Sequence, residues 1–195
     1  MRRKTLDVMY ALVDQCAALG GRYLVHGSPQ QRRIDPGDTR EAALARATEC
    51  FARVAERAER AGVLYCVEPL AADQTPLINT LAEAAAVVEA VGSPALRTML
   101  DTSAASRTEA EPLAALVDRW LPRGMIAHVQ VNDRNRRGPG QGELRFAPLL
   151  AALVRHGYAG RHRRRGPGSN YVPDGPGAAA RAIGCSRGIL EALQA

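Results

Sequence analysis

The stretch "HVQVNDRNRRGPGQGE", His128 to Glu143, changes character halfway along. Its first residues alternate, which sets His128 and Gln130 on one face of a strand. Asn132, Asp133 and the arginines 134, 136 and 137 then stand where the chain should turn, ahead of Gly138, Pro139, Gly140 and Gly142. Taken with the residues before it, "MIAHVQVND" (125–133) reads as a buried strand with a polar tip. The same join recurs up the chain. "RYLVHGSP" (22–29) is a short apolar strand that reaches His26 and a polar turn, "GVLYCVEPL" (62–70) is closed by Glu68 and Pro69, and "ALRTMLDTS" (95–103) ends at Asp101.

Helical patterns separate these strands. Residues 40–61 carry Leu44, Ala47, Phe51, Val54 and Ala58 on one stripe, and 80–91 open with a Thr80–Glu83 capping box. Ser106 with Glu109 should open a helix through Trp120, stopped by Pro122, and 146–157 should form another, closed by Gly157. "GYAG" (157–160) should lead into one more strand. The opening segment resembles a signal peptide only superficially, because Asp7, Asp14 and Gln15 interrupt it. Leu6, Met9, Leu12 or Val13, Cys16 and Leu19 make it an amphipathic helix ended by Gly20 and Gly21.

Strict alternation of apolar strands and helices predicts an α/β fold with a parallel sheet. Two architectures satisfy it, an open doubly wound sheet and a TIM (β/α)8-type barrel. An open sheet usually carries a phosphate-binding glycine turn after its first strand, and "HGSPQQR" is not one. Polar residues at the tip of strand after strand (His26, Glu68, Asp101, Gln130) favour the barrel, whose sites are assembled from many strand ends.

Composition narrows the function. The 195 residues, 46% hydrophobic, fit one domain spanning 1–195. No apolar run approaches the length that crosses a bilayer, so no membrane partner is expected. The four scattered cysteines (16, 50, 66, 185) lack metal or redox spacing and read as reduced thiols of a cytoplasmic protein. The net charge of +6 hints at nucleic acid. Setting aside the arginines at 161, 163, 164 and 165 leaves 22 basic against 20 acidic side chains, an ordinary balance, and no nucleic-acid partner is expected.

The chemistry concentrates on Glu68, Asp101 and Gln130, each near the end of a buried strand. A carboxylate there is costly unless something positive pairs with it. The chain's single lysine is Lys4, so a divalent cation is the economical partner. Two carboxylates and an amide oxygen are hard ligands, suited to Mg2+ or Mn2+.

"YLVHGSPQQR", "VEPL…INT", "LDTS" and "HVQVNDRNRRGPGQGELRFAPLL…GYAG" together resemble the sugar isomerase and epimerase superfamily with the xylose isomerase-like TIM barrel. The last stretch is the most specific, being similar to a His-x-Gln-x-x-Asp, Pro-Gly-x-Gly-Glu pattern of hydroxypyruvate isomerases. The resemblance, which also reaches the ketose 3-epimerases, implies that Glu68, Asp101 and Gln130 are three of four metal ligands, with Mn2+ or Mg2+ as cofactor. It implies that His128 lines the site, that Arg136 contacts substrate, and that His26 sits where relatives face substrate or metal. It further implies an isomerase or epimerase of a small sugar or hydroxy-carbonyl compound. Proton transfer would pass through an enediolate, with Glu68 as both ligand and acid/base. A homo-oligomer is compatible with this. Apurinic-site endonucleases of the same superfamily use many more histidines than the four present here.

The sequence departs from that pattern in three places. Where the family has a last strand bearing the fourth ligand, a glutamate that is also the second acid/base, this chain reads "GYAGRHRRRGPGSNYVPDGPG". That segment could be a nucleic-acid arm, a solvated loop or, as favoured here, a local frameshift repaired before Tyr171. The codons CGG CAT CGC CGT CGA GGC encode Arg-His-Arg-Arg-Arg-Gly and, one base later, Gly-Ile-Ala-Val-Glu. The coding DNA across residues 161–166 decides it. Second, only one helix precedes "RYLVHG", the family's fourth strand, so the barrel is expected to be incomplete, with about strands 4–8 present and the last strand damaged. Complete barrels take about 250 residues. Unpaired strand edges would leave such a chain poorly stable and inactive, a non-catalytic remnant or binding protein being the alternative function. Third, Ala104 stands where some relatives carry a substrate-contacting histidine.

Overall fold

A computed structural model describes residues 2–158 and 175–194. It forms two compact units, Met1–Met99 and Leu100–Ala195.

The first unit begins with helix α1 (Arg2–Ala18), which buries Met9 and Val13 while Leu12 and Leu19 of the expected stripe are exposed. Strand β1 (Tyr23–His26) follows, then a single 3-10 turn (Pro29–Arg32) and helix α2 (Arg40–Ala61). Thr39 caps α2 by accepting the Ala42 N–H at 3.1 Å, and Gly62 ends it in the left-handed conformation (φ 68°), a geometry that favours glycine. Phe51, Val54, Ala55 and Ala58 make its buried stripe. Strand β2 (Leu64–Val67) lies parallel to β1, pairing Tyr23 with Leu64 and His26 with Val67. Helix α3 (Leu81–Val91) is capped as its sequence predicts, with Thr80 Oγ1 accepting the Glu83 N–H at 3.2 Å. The Glu83 carboxylate reaches back one residue further than a standard capping box, to the Asn79 N–H at 2.6 Å. Strand β3 (Leu96–Asp101) pairs in parallel with β2, Tyr65 opposite Leu96 and Val67 opposite Thr98. The sheet order is the chain order, and β4 (Ile126–Gln130) stands next to β3.

The second unit takes the last two residues of β3 and everything after. Helices α4 (Thr102–Thr108) and α5 (Leu113–Trp120) replace the single helix expected from Ser106. Asp101 caps an earlier start by accepting the Ser103 N–H at 2.8 Å, and Pro112 forces a new N-terminus, since a helix cannot run into a proline without losing a hydrogen bond. Ser106 is therefore interior to α4, its hydroxyl donating to the Ser103 carbonyl. Helix α6 (Ala147–Arg155) buries Leu149, Leu150 and Leu153 and packs on α5, with Gly157 left-handed beyond it. Helix α7 (Gly175–Ala192), which the sequence did not announce, packs on α6 and buries Ala178 and Ala182. The expected further strand from "GYAG" and the arginine run at 161–165 fall at or beyond the edge of the described residues; Tyr158, the last one described before residue 175, is not in a strand. No described helix is long and apolar enough to cross a membrane, and the four cysteines are free.

Candidate functional site

In the first unit the site is built at the carboxyl ends of β1 and β2. The Glu68 N–H donates to the His26 carbonyl at 3.2 Å, extending the ladder one residue past β2. A parallel ladder leaves carbonyls at its end that need donors. Arg32 supplies them. Its Nη1 donates to the Glu68 carbonyl at 2.6 Å, its Nη2 to the His26 carbonyl, and Thr75 Oγ1 anchors its own carbonyl at 3.1 Å. The guanidinium is buried, 3% exposed, and one planar fork meets two carbonyls that a lysine could not span together. Burial lowers the Arg32 pKa to about 10, with Glu68 opposing that shift, so it stays cationic at neutral pH. Glu68 thus has a positive neighbour that a search for lysine overlooks.

Strand periodicity decides what His26 faces. Register places it with Val67 and Tyr65 on the side toward α2. There Nδ1 meets the Tyr65 hydroxyl at 2.7 Å, and the ring sits edge-on to Phe51 with centroids 5.3 Å apart. Burial, and then the charge of Arg32, push its pKa down to about 4. A cavity of about 600 Å³ opens on this side, lined by His26, Arg32, Met9, Phe51 and Leu77. Glu68 belongs to the opposite face, beside Gly27, where a Cβ would overlap its carboxylate. The structure therefore turns the His26 and Glu68 side chains to opposite faces of the sheet. The loop after Glu68 is held firmly: Ile78 is buried with a left-handed φ of 60°, and Asn79 Nδ2 donates to the carbonyls of Leu70 and Thr75, both at 2.8 Å.

In the second unit the centre is Asp101, 3% exposed. Its Oδ1 accepts the Ser103 N–H at 2.8 Å and Asn132 Nδ2 at 3.4 Å. Asn132 is clamped to Thr102, the residue after Asp101: its N–H donates to Thr102 Oγ1 at 2.8 Å, and that hydroxyl donates to the Asn132 carbonyl at 2.5 Å. His128 and Gln130 are buried at the end of β4. Among the described residues, Gln130 Oε1 and Asn132 Oδ1 are buried oxygens with no hydrogen-bond donor. Among the described residues, no three His, Cys, Asp or Glu side chains group as a metal site requires, so a cation here would need amide oxygens. Those two oxygens are of that kind, and the donor set fits a hard cation.

Asp133 organises the loop that follows. Buried to 1% exposure, its carboxylate accepts the N–H groups of Arg134 (2.7 Å), Glu143 (3.1 Å) and Leu144 (3.2 Å). Gly142 is required beside it, since a Cβ there would overlap the carboxylate. Arg136 is exposed at the tip of the 133–137 turn with φ 64°. Arg32, Asn132 and Asp133 are the residues that sequence reasoning did not assign. Only Asp133 left a signal, in its position within the quoted motif.

The profile of the family described as "Xylose isomerase-like TIM barrel" matches residues 1–163. An L-ribulose 3-epimerase of Mesorhizobium japonicum is 34% identical over 114 residues, 58% of this chain and 37% of that protein. A ketose 3-epimerase of Arthrobacter globiformis is 27% identical over 156 residues, 79% of this chain and 52% of that protein. A solved L-ribulose 3-epimerase structure superimposes with a TM-score of 0.83 at 24% identity, over 97% of this chain and 68% of its own, and so shares the fold. The chain spans between about a third and just over half the length of these two curated relatives.

Proposed function

The chain belongs to the xylose isomerase-like TIM barrel family, and on that premise we propose that it is a sugar isomerase or epimerase, acting on a small sugar or hydroxy-carbonyl substrate by proton transfer through an enediolate. The observation that carries this is the Gly27–Glu68 corner: the backbone gives up a side chain so that a buried carboxylate can occupy the end of β2. Glu68, Asp101 and Gln130 are proposed to hold one divalent cation, Mn2+ or Mg2+. Such an ion, when bound, supplies positive charge that polarises a substrate carbonyl.

Glu68 is the proposed base, taking the proton from the carbon beside that carbonyl. Arg32 fixes it by holding its main chain and keeps a cation next to its charge. His128 and Arg136 are proposed to contact substrate, His128 from the buried end of β4 and Arg136 from the mouth of the loop that Asp133 ties. His26, turned toward Tyr65 and Phe51, is proposed to support the end of β1 instead. One base can return a proton to the neighbouring carbon on the same face, whereas inversion at one carbon needs an acid on the other face.

The test is proton exchange in deuterated water with Mn2+ present, read by NMR on a panel of ketoses and aldoses. Deuterium should enter at the carbon next to the carbonyl with the parent chain and not with Glu68→Gln. Metal binding with no exchange on any sugar would favour the non-catalytic alternative.

A further inference from the structure

We infer that Asn132 contributes its side-chain oxygen as a cation ligand beside Asp101 and Gln130. The inference rests on the metal-dependent reading above. It starts from position. Both main-chain polar groups of Asn132 are tied to Thr102 Oγ1, at 2.8 and 2.5 Å, so residue 132 has a fixed place beside residue 101. Its amide nitrogen lies 3.4 Å from Asp101 Oδ1, a long contact for an amide and a carboxylate. The oxygen of the same amide is buried and accepts no hydrogen bond from the described residues. Asn132 is 2% exposed, so water does not satisfy that oxygen from the surface.

Two residues earlier, Gln130 presents the same anomaly: a buried amide oxygen accepting no hydrogen bond. Gln130 closes β4, and Asn132 follows two residues beyond the strand's end. Buried polar atoms are nearly always satisfied, so two unsatisfied acceptors two residues apart in the chain call for a partner. A hard cation can take both amide oxygens as ligands together with the neighbouring Asp101 carboxylate, whose Oδ1 also accepts the Ser103 N–H. A protein N–H would serve only one.

The test is Mn2+ titration of the 195-residue chain, with free Mn2+ counted by EPR, alongside thermal unfolding with and without Mn2+. Asn132→Ala should weaken binding at least about tenfold, in the range that loss of a metal-supporting group produces. Asn132→Asp keeps an oxygen and adds charge. It should bind Mn2+ at least as tightly as the parent, with a larger rise in unfolding temperature on adding the metal. If Asn132 serves only to donate to Asp101, Asn132→Asp loses that donor and must weaken binding as Asn132→Ala does, which overturns the inference. Unchanged affinity in Asn132→Ala overturns it too. Asp101→Asn separates the two layers. Lost affinity in Asp101→Asn with none lost in Asn132→Ala defeats this inference alone, while a parent chain that binds no Mn2+ defeats the metal-dependent reading with it. Should Asn132→Ala not fold, Asn132→Asp decides.

Discussion

Replacing Arg32 with methionine should cost about 3–5 kcal/mol of folding stability, the range for removing one partner of a buried charged arrangement. The structure supplies the working. Two guanidinium N–H groups donate to the buried carbonyls of His26 and Glu68. A hydrogen bond involving a charged group contributes roughly 1.5–3 kcal/mol, and methionine fills similar volume without donating. Burial already lowers the Arg32 pKa to about 10, so removing the charge returns some desolvation energy and keeps the loss toward the lower end. Arg32→Lys should recover less than half, because an ammonium reaches one carbonyl and cannot span both. Urea unfolding measures this, with the midpoint falling and the slope unchanged. A loss under about 1 kcal/mol for methionine, or full recovery by lysine, would refute the reasoning, since the first denies that the carbonyls depend on Arg32 and the second denies that the fork matters.

Other outcomes follow from the same geometry. His26 has a folded pKa of about 4, below its ordinary value near 6.5, so the unfolded chain binds the proton more readily; its stabilisation is complete above about pH 6.5 and is lost as pH falls toward 4, by on the order of 3 kcal/mol. Subtracting the stability–pH curve of His26→Gln from that of the parent should reveal this slope, and parallel curves would contradict it. Gly27→Ala should displace the Glu68 carboxylate and remove proton exchange with a stability loss of about 1–3 kcal/mol, within the range for overpacking; exchange at the parent rate would show that the corner has slack. Asp133→Ala orphans the N–H groups of Arg134, Glu143 and Leu144, and should cost about 2–4 kcal/mol with faster amide hydrogen exchange across residues 134–144. Unchanged exchange in that loop would mean that Asp133 does not organise it.

Much of the fold could be read along the chain because its causes are local. The stripe of Phe51, Val54 and Ala58, the Thr80 cap and the apolar runs around Tyr65 and Val129 each specify an element from a few neighbouring residues, and their alternation specifies a parallel α/β arrangement. Misreadings came where two local signals competed. Ser106–Glu109 looked like a helix start, but Asp101 caps an earlier one and Pro112 imposes a later one. Helix α7 carries four glycines between residues 175 and 188, a composition that conceals a helix until packing on α6 stabilises it.

The sequence by itself determined where polar residues close the apolar strands: an imidazole at His26, carboxylates at Glu68 and Asp101, an amide at Gln130, and a polar loop after the last of them. Only the tertiary structure decided how those residues are oriented and supported. A strand's two faces are equivalent in the sequence until register and a packed helix distinguish them, so the side of His26 was settled by Tyr65 and Phe51. Support for Glu68 comes from Arg32, 36 residues away, and support for Asp101 from Asn132, 31 residues away. No periodicity links such pairs, because folding, and not chain spacing, brings them within hydrogen-bonding distance.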